Sequence, residues 1–313
     1  MSHRWQASCL ASPAGPLPDG GVVLLGHGSR DPVGAAEFLA IADAVRRALP
    51  DRPVEAGVLE FAGPVAPSIP EAFARCVARG ARRILALPVL LHFGGHATAD
   101  MPEQAAAARE RHPHAEIRLA QPLAGHPALL DVVADRCAAT ALGPARDATV
   151  LLVGRGSTSP RANADLFASA RLFEERGDYA AAEVCFVSLA PPDVPAGLRR
   201  CVALGARRII VAPYFVNTGL LVHRIAAEVE AARRVYADTE VAVAAHFGPD
   251  PRLITALLDR GRDAWPELMW EPGARGQGPG DDAGPRFPAP GSRPLTPVPA
   301  PGPRPLAPAG GPR

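Results

Sequence analysis

The chain has 313 residues, of which 48% are hydrophobic and 21% charged, and its formal net charge is +1. This composition predicts a soluble globular protein of about two domains. The near-neutral charge gives no electrostatic basis for binding nucleic acid or an anionic membrane surface. No run of about eighteen apolar residues is present, so the sequence predicts no membrane span. All 33 basic residues are arginine, a side chain that binds carboxylates through a planar fork.

The first half of the chain alternates short apolar runs with longer helical patterns. Residues 1–20 are expected to be a flexible arm without the apolar run of a signal peptide, which favours the cytoplasm. Strands are predicted at 22–25, 54–59, 84–87 and 116–119. Helices are predicted at 35–49, 69–79, 99–111 and 128–141. Strands separated by helices at this spacing indicate βαβ units and a parallel sheet.

The second half repeats the same order of elements. Strands are predicted at 150–153, 184–187, 209–212 and 241–244, and helices at 162–176, 196–204, 221–236 and 252–264. The sequence therefore predicts an α/β protein of two pseudo-symmetric, doubly wound domains, 21–145 and 146–271, each with a four-stranded parallel sheet and with a cleft between them. Residues 272–313 are dominated by Pro, Gly, Ala and Arg, a composition that favours a disordered tail.

The two halves share sequence motifs as well as element order. VVLLGHGSRDP at 22–32 matches VLLVGRGSTSP at 150–160, and RCVARGARRILALP at 75–88 matches RCVALGARRIIVAP at 200–213. The offset falls from 128 residues (27 to 155) to 125 (75 to 200), which indicates a three-residue deletion near Pro191-Pro192. The polar residues differ between the copies: His27, Glu60 and His96 correspond to Arg155, Ser188 and Leu221. One polar triplet is retained and one is lost, which predicts a single active site.

The retained triplet follows three predicted strands. His27 lies in a Gly-His-Gly-Ser turn after the first strand, Glu60 ends the second, and His96 lies in a Phe-Gly-Gly-His loop after the third. Carboxyl ends of parallel strands form the edge at which open α/β sheets bind ligands. Two imidazoles and a carboxylate suit a divalent ion such as Fe²⁺, Co²⁺, Ni²⁺ or Zn²⁺. The glycines beside the histidines allow a large flat ligand to approach the backbone.

The ordered motifs resemble those of a known family. LLGHGSRDP, VLEFAGPVAPSIPEAF and GARRILALPVLLHFGGHATADMPEQ resemble the sirohydrochlorin chelatase family, the CbiX/SirB type of class II tetrapyrrole chelatases. VGRGSTSPRANAD and PYFVNTGLLVHRI resemble the degenerate second copy of its two-domain form. The resemblance implies ATP-independent insertion of Fe²⁺ or Co²⁺ into sirohydrochlorin, in siroheme or cobalamin biosynthesis. Iron is favoured, because nothing else in the sequence indicates a specialisation for cobalt. It also implies that His27, Glu60 and His96 act at the metal.

The substrate's carboxylates call for arginine partners. Substrate contacts are predicted for Ser29, Arg30, Gly95 and Arg155, with Arg161 and Arg224 as further candidates. Ser29 and Ser157 are also predicted to cap helices. Structural roles are predicted for four further histidines: His92, His126, His223 and His246. No tightly bound cofactor is expected, because the divalent metal is itself a substrate.

The five cysteines form no CxxC pair and are predicted to be small buried hydrophobic residues.

Other interpretations of the function remain open at this point. A non-catalytic metal or tetrapyrrole carrier is the main alternative function. A histidine phosphatase is a second, but that chemistry usually places an arginine before the histidine, where this chain has Gly26. A monomer is expected, because the duplication supplies both lobes of the cleft.

Overall fold

Two parallel sheets with alternating helices make up the protein. The computed structural model describes residues 19–63, 66–92, 99–144 and 146–269. The first half contains β1 (Gly20–Gly26), α1 (Pro32–Ala48), β2 (Val54–Val58), α2 (Ile69–Ala78), β3 (Arg83–Pro88), α3 (Met101–Arg111), β4 (Glu116–Leu119) and α4 (Pro127–Ala138). The second contains β5 (Ala148–Gly154), α5 (Pro160–Glu174), β6 (Ala181–Phe186), α6 (Val194–Ala203), β7 (Arg208–Pro213), α7 (Leu220–Val235), β8 (Glu240–Val243) and α8 (Pro251–Ala264).

The strand orders are β2-β1-β3-β4 and β6-β5-β7-β8, and all described pairs are parallel. The repeat seen in the sequence is kept in the hydrogen-bond register: Gly26 pairs with Val58 in the first sheet, and Gly154 pairs with Phe186 in the second. The predicted fold class is therefore confirmed. The predicted arm up to residue 18 and the predicted tail from residue 272 lie outside the described residues.

Seven of the eight described helices have proline in the first turn. The Asp31 carboxylate accepts a hydrogen bond from the Val33 amide at 2.8 Å and caps α1, which has Pro in its first turn. The prediction that Ser29 and Ser157 are the caps was wrong. Their hydroxyls accept hydrogen bonds from the amides of Asp31 and Ser159, each at 3.1 Å. The helices begin only after Asp31 and Ser159, because the fixed φ of the following proline suits the first helical position.

The two halves share one core between their sheets. Its buried residues include Leu85 of β3 and Ile210 of β7, together with Leu129 of α4 and Leu257 of α8. Each fully buried aliphatic side chain of this kind contributes about 2 kcal/mol to stability. The last helices are exchanged: α8 packs on β3 and α1 of the first half, whereas α4 packs on β7 of the second and on α8. The domain limits 21–145 and 146–271 therefore stay a prediction.

The described cysteines behave as buried hydrophobic residues. Cys76 of α2 and Cys201 of α6 hold equivalent repeat positions, and both are fully buried free thiols. Burial raises the pKa of each thiol to about 12, so neither is a ready nucleophile. Cys137 and Cys185 are likewise free and buried. Within the described ranges, no helix combines the length and the apolar character needed to cross a membrane.

Candidate active site at the carboxyl ends of the strands

His27 and Glu60 lie side by side at one edge of the first sheet. The backbone pairing of β1 and β2 continues past the strands: the Leu59 amide donates to the Gly26 carbonyl at 3.0 Å, and the Glu60 amide donates to the His27 carbonyl at 2.8 Å. His27 is partly buried and Glu60 is exposed. The backbones of two of the three predicted metal-site residues are thus hydrogen-bonded at the carboxyl ends of neighbouring strands, and their role at a metal stays a prediction.

Gly28 makes this close approach possible. Its φ is +96°, in the region that favours glycine. A Cβ at this position would lie 1.9 Å from the Glu60 carbonyl oxygen, well inside van der Waals contact. The turn after His27 therefore requires a residue without a side chain.

The third predicted metal-site residue, His96, lies with Gly95 in the segment 93–98, outside the described residues. The described residues on either side of this segment, His92 and Ala99, both line a cavity between the two halves. Among the residues that are described, no three His, Cys, Asp or Glu side chains form a group that could hold a metal ion. The three-residue metal site thus remains a prediction.

The second half has the same backbone arrangement with different side chains. The Ser188 amide donates to the Arg155 carbonyl at 3.1 Å, as the Glu60 amide does to His27. Gly156 has a φ of +84°, and a Cβ there would lie 2.8 Å from the Ala190 amide nitrogen. The scaffold of the site is therefore duplicated, whereas its ligand-type side chains occur in one copy.

The cavity lies where the predicted cleft was expected. Its volume is about 330 Å³, within the range of small-molecule sites. The first half contributes Leu90, Leu91, His92, Ala99 and Asp100; the second contributes Gly154, Arg155, Gly156, Ser157, Thr158, Ala162, Asn163, Phe186 and Leu189. Arg155 therefore faces the cavity, whereas His27 and Glu60 are not among the described residues of its wall.

The arginines predicted to contact substrate fall into two groups. Among the described contacts, Arg155 has no ion pair, and the guanidinium of Arg30 lies over the ring of Phe61, 4.8 Å from its centroid. Both keep donors available for a carboxylate ligand. Arg161 and Arg224 instead pair with acids on their own helices, at 3.8 Å from Asp165 and 2.6 Å from Glu228. The structure therefore favours the first two as substrate contacts.

Phe61 is a residue beside the candidate metal site to which the sequence patterns assigned no role. It directly follows Glu60, its side chain is 46% exposed, and its φ of +57° makes it the only non-glycine residue with positive φ in the described ranges. A bulky residue in this conformation is strained, and such strain concentrates at functional sites. The equivalent residue of the second half, Leu189, is also exposed and lines the cavity. The signal in the sequence was an aromatic residue beside a predicted metal-site carboxylate.

Three of the remaining histidines have structural contacts, as predicted. His126 caps α4 through Nδ1, which accepts from the Ala128 amide at 3.3 Å. His223 lies 3.1 Å from the carboxylate of Asp31, and His246 lies 2.9 Å from that of Glu37. The last two pairs join the second half of the chain to α1.

Two hydrogen bonds to the Asp31 carboxylate lower its pKa. Hydrogen bonds from the Val33 amide and then from His223 lower the pKa of the Asp31 carboxyl below its ordinary value. This charge is therefore retained at the start of α1, where a negative group is favourable.

His92 differs from the other histidines because it lines the cavity. Its ring stacks on Tyr214 of the second half, with centroids 5.3 Å apart and an interplanar angle of 27°. The sequence did contain a signal: PVLLH at 88–92 matches PYFVN at 213–217, so both copies end an apolar run with a polar side chain.

Two duplicated parallel sheets, ligand-type side chains at the carboxyl ends of the first sheet and a cavity between the halves define a two-lobed α/β protein with a small-molecule site. The CbiX family model matches residues 21–140 and 149–264. The chain belongs to this family, and the resemblance seen in the sequence is confirmed. This membership favours a chelatase over a histidine phosphatase.

Individual relatives agree with the family match. The chain is 32% identical over 248 residues to a sirohydrochlorin cobaltochelatase of Priestia megaterium, covering 77% of this chain and 79% of the relative. It is also 32% identical over 210 residues to a sirohydrochlorin ferrochelatase of the same organism, covering 67% and 77%. The solved structure of SirB from Bacillus subtilis with Fe³⁺ is 25% identical, with a TM-score of 0.68, and covers 78% of this chain and 95% of SirB.

Proposed function

We propose that this protein inserts a divalent metal ion into sirohydrochlorin. The observation that carries the proposal is the backbone hydrogen bond between the Glu60 amide and the His27 carbonyl, which makes the two residues with proposed ligand side chains neighbours at one sheet edge in a member of this family. In the proposed site His27, Glu60 and His96 hold the metal. Ser29, Arg30, Gly95 and Arg155 contact the macrocycle.

The reaction exchanges two pyrrole protons for one divalent cation. The site must remove water from the ion, present it to the macrocycle and accept the released protons. Neutral histidine suits the binding of the ion and the acceptance of protons, because an imidazole either ligates a metal or accepts a proton near neutral pH. Glu60 supplies negative charge beside His27, either as a ligand or by orienting the imidazole. Weak ligation with open positions is needed, since the ion must leave for the macrocycle.

The test compares equivalent residues of the two halves. His27→Ala removes a proposed ligand, whereas Arg155→Ala removes a proposed carboxylate contact at the matching position. We expect His27→Ala to abolish insertion while metal-free sirohydrochlorin still binds. We expect Arg155→Ala to raise KM by about tenfold or more with a smaller change in kcat. Insertion is followed by anaerobic absorption spectroscopy, and circular dichroism checks the fold. Wild-type rates for His27→Ala at limiting metal would refute the assignment.

The physiological metal is a separate question. The two Priestia megaterium relatives are equally identical to this chain, and their names differ in the metal. Imidazole and carboxylate ligands suit both Fe²⁺ and Co²⁺. We favour Fe²⁺. Anaerobic competition between the two ions for sirohydrochlorin, read from the product spectra, tests this choice. Several turnovers per chain in the same assay would also distinguish an enzyme from a carrier.

We further propose that the protein acts as a monomer in the cytoplasm, without a tightly bound cofactor. The support for a monomer is that both walls of the cavity come from one chain. Light scattering coupled to size exclusion, with and without sirohydrochlorin, measures the assembly directly. A dimer that forms only with substrate would contradict the proposal.

A further inference from the structure

His92 combines three features that no other described histidine shares. It lines the cavity between the halves, its ring stacks on Tyr214 across the junction, and its Nδ1 is buried without a hydrogen-bond partner. Leaving a buried polar atom unpaired is unfavourable. Tyr214 is itself buried and packs edge-on against Phe247, with centroids 4.9 Å apart. The orientation of the His92 ring is therefore fixed by the second half of the chain.

The two nitrogens of His92 have different surroundings. Nδ1 is fully enclosed, whereas Nε2 is not. Neither nitrogen makes a hydrogen bond within the described part of the chain. An unpaired buried acceptor is tolerated more readily than an unpaired N–H donor. The proton is thus best placed on Nε2, the nitrogen that is not fully enclosed in a residue that lines the cavity.

The charge state of His92 separates it from the proposed metal-site histidines. Burial lowers the pKa of His92 to about 4. The ring is therefore neutral at neutral pH and is a poor acceptor for the pyrrole protons. A neutral imidazole with an accessible N–H is a hydrogen-bond donor. Arg155 lines the same cavity, so the two residues offer donors to one ligand from opposite halves.

We propose that His92 is a substrate-binding residue whose Nε2–H donates a hydrogen bond to a carboxylate of the bound tetrapyrrole. This inference rests on the proposed function and adds a contact from the first half of the chain to the one proposed for Arg155. His92 binds the macrocycle and takes no part in proton transfer.

Three variants separate this role from a structural one. His92→Phe keeps an aromatic ring for the stack on Tyr214 and removes both nitrogens. His92→Gln keeps a donor at a reach similar to that of Nε2 and removes the ring. Asn217→Ala alters the equivalent position of the second half, whose side-chain oxygen is also buried without a partner but which does not line the described cavity wall.

The experiment titrates each full-length variant with metal-free sirohydrochlorin and follows binding by absorption. It then measures KM and kcat for metal insertion. We expect His92→Phe to weaken binding by about tenfold or more with a smaller change in kcat, and His92→Gln to recover part of that loss. Asn217→Ala is expected to bind as the wild type does. Nitrogen-15 NMR of labelled histidine should show the His92 signal shifting when substrate is added without metal.

The outcomes discriminate between the two proposals. Wild-type affinity for His92→Phe, or an unchanged His92 signal, would overturn the role of His92 and leave the proposed function intact. Equal losses in all three variants, with lowered thermal stability, would also overturn it and indicate a structural role. Failure of the wild-type protein to bind sirohydrochlorin would instead refute the proposed function itself.

Discussion

Replacing Gly28 by alanine should move Glu60 away from His27, the two residues of the candidate metal site whose backbones are hydrogen-bonded. The added Cβ would lie 1.9 Å from the Glu60 carbonyl oxygen, whereas ordinary contact begins near 3.4 Å. Relief therefore requires a backbone shift of roughly 1.5 Å, which would break the 2.8 Å hydrogen bond between the Glu60 amide and His27. A displacement of about 1 Å at a reacting centre can lower the rate by about 100-fold.

The matched control is Gly80→Ala. Gly80 has a φ of +93°, close to the +96° of Gly28, but an added Cβ there meets no atom within 4 Å. Gly80→Ala should lose about 1–2 kcal/mol from backbone strain alone. Gly28→Ala carries the same strain, the clash and the broken hydrogen bond, so we expect about 3 kcal/mol or more. Thermal midpoints and anaerobic insertion rates measure both effects. Equal stability and activity of the two variants would refute the reasoning.

Two further predictions concern strain and pH. Phe61→Gly removes a side chain from a strained conformation with a φ of +57°. We therefore expect unchanged or higher stability, together with weaker binding of sirohydrochlorin. A loss of stability with full affinity for sirohydrochlorin would contradict this prediction. A hydrogen bond from Arg252 lowers the pKa of the Asp250 carboxyl in the folded protein. The ionised carboxylate therefore stabilises the fold above the unfolded-state pKa of about 4, and this stabilisation is lost as the pH falls from there through the lower folded-state pKa. Asp250→Asn should therefore lower the urea midpoint at pH 7 and flatten its decline in acid, and parallel pH profiles for the two proteins would count against this.

The fold was predictable because both faces of each sheet are covered. Strands such as β3 (Arg83–Pro88) and β7 (Arg208–Pro213) appear in the sequence as short apolar runs, and the duplication provides a second copy of each element. The exchange of α4 and α8 was not predictable in this way. An amphipathic helix shows that it has a buried face, but its sequence does not specify which of two similar sheets covers that face.

The site was predictable to the extent that it follows from strand ends. His27 and Glu60 meet because parallel strands place their carboxyl ends at one edge, which needs no detail of packing. The prediction of Ser29 as a helix cap was wrong because Ser29 and Asp31 are both possible caps within one turn. Only the proline after Asp31 marks where α1 begins. The role of His92 depends on Tyr214, more than a hundred residues away, and no local pattern links two such positions.

The exchanged last helices have a consequence for how the molecule unfolds. The face of β3 that carries Leu85 is covered by α8, which comes from the far end of the described chain, and the corresponding face of β7 is covered by α4. If either half unfolded, the sheet of the other half would lose its covering helix and would expose apolar side chains to water. We therefore expect the two copies, although separate in sequence, to unfold as a single cooperative unit, so that a destabilising change in either half lowers the stability of both. Calorimetry of the intact chain would then record one transition.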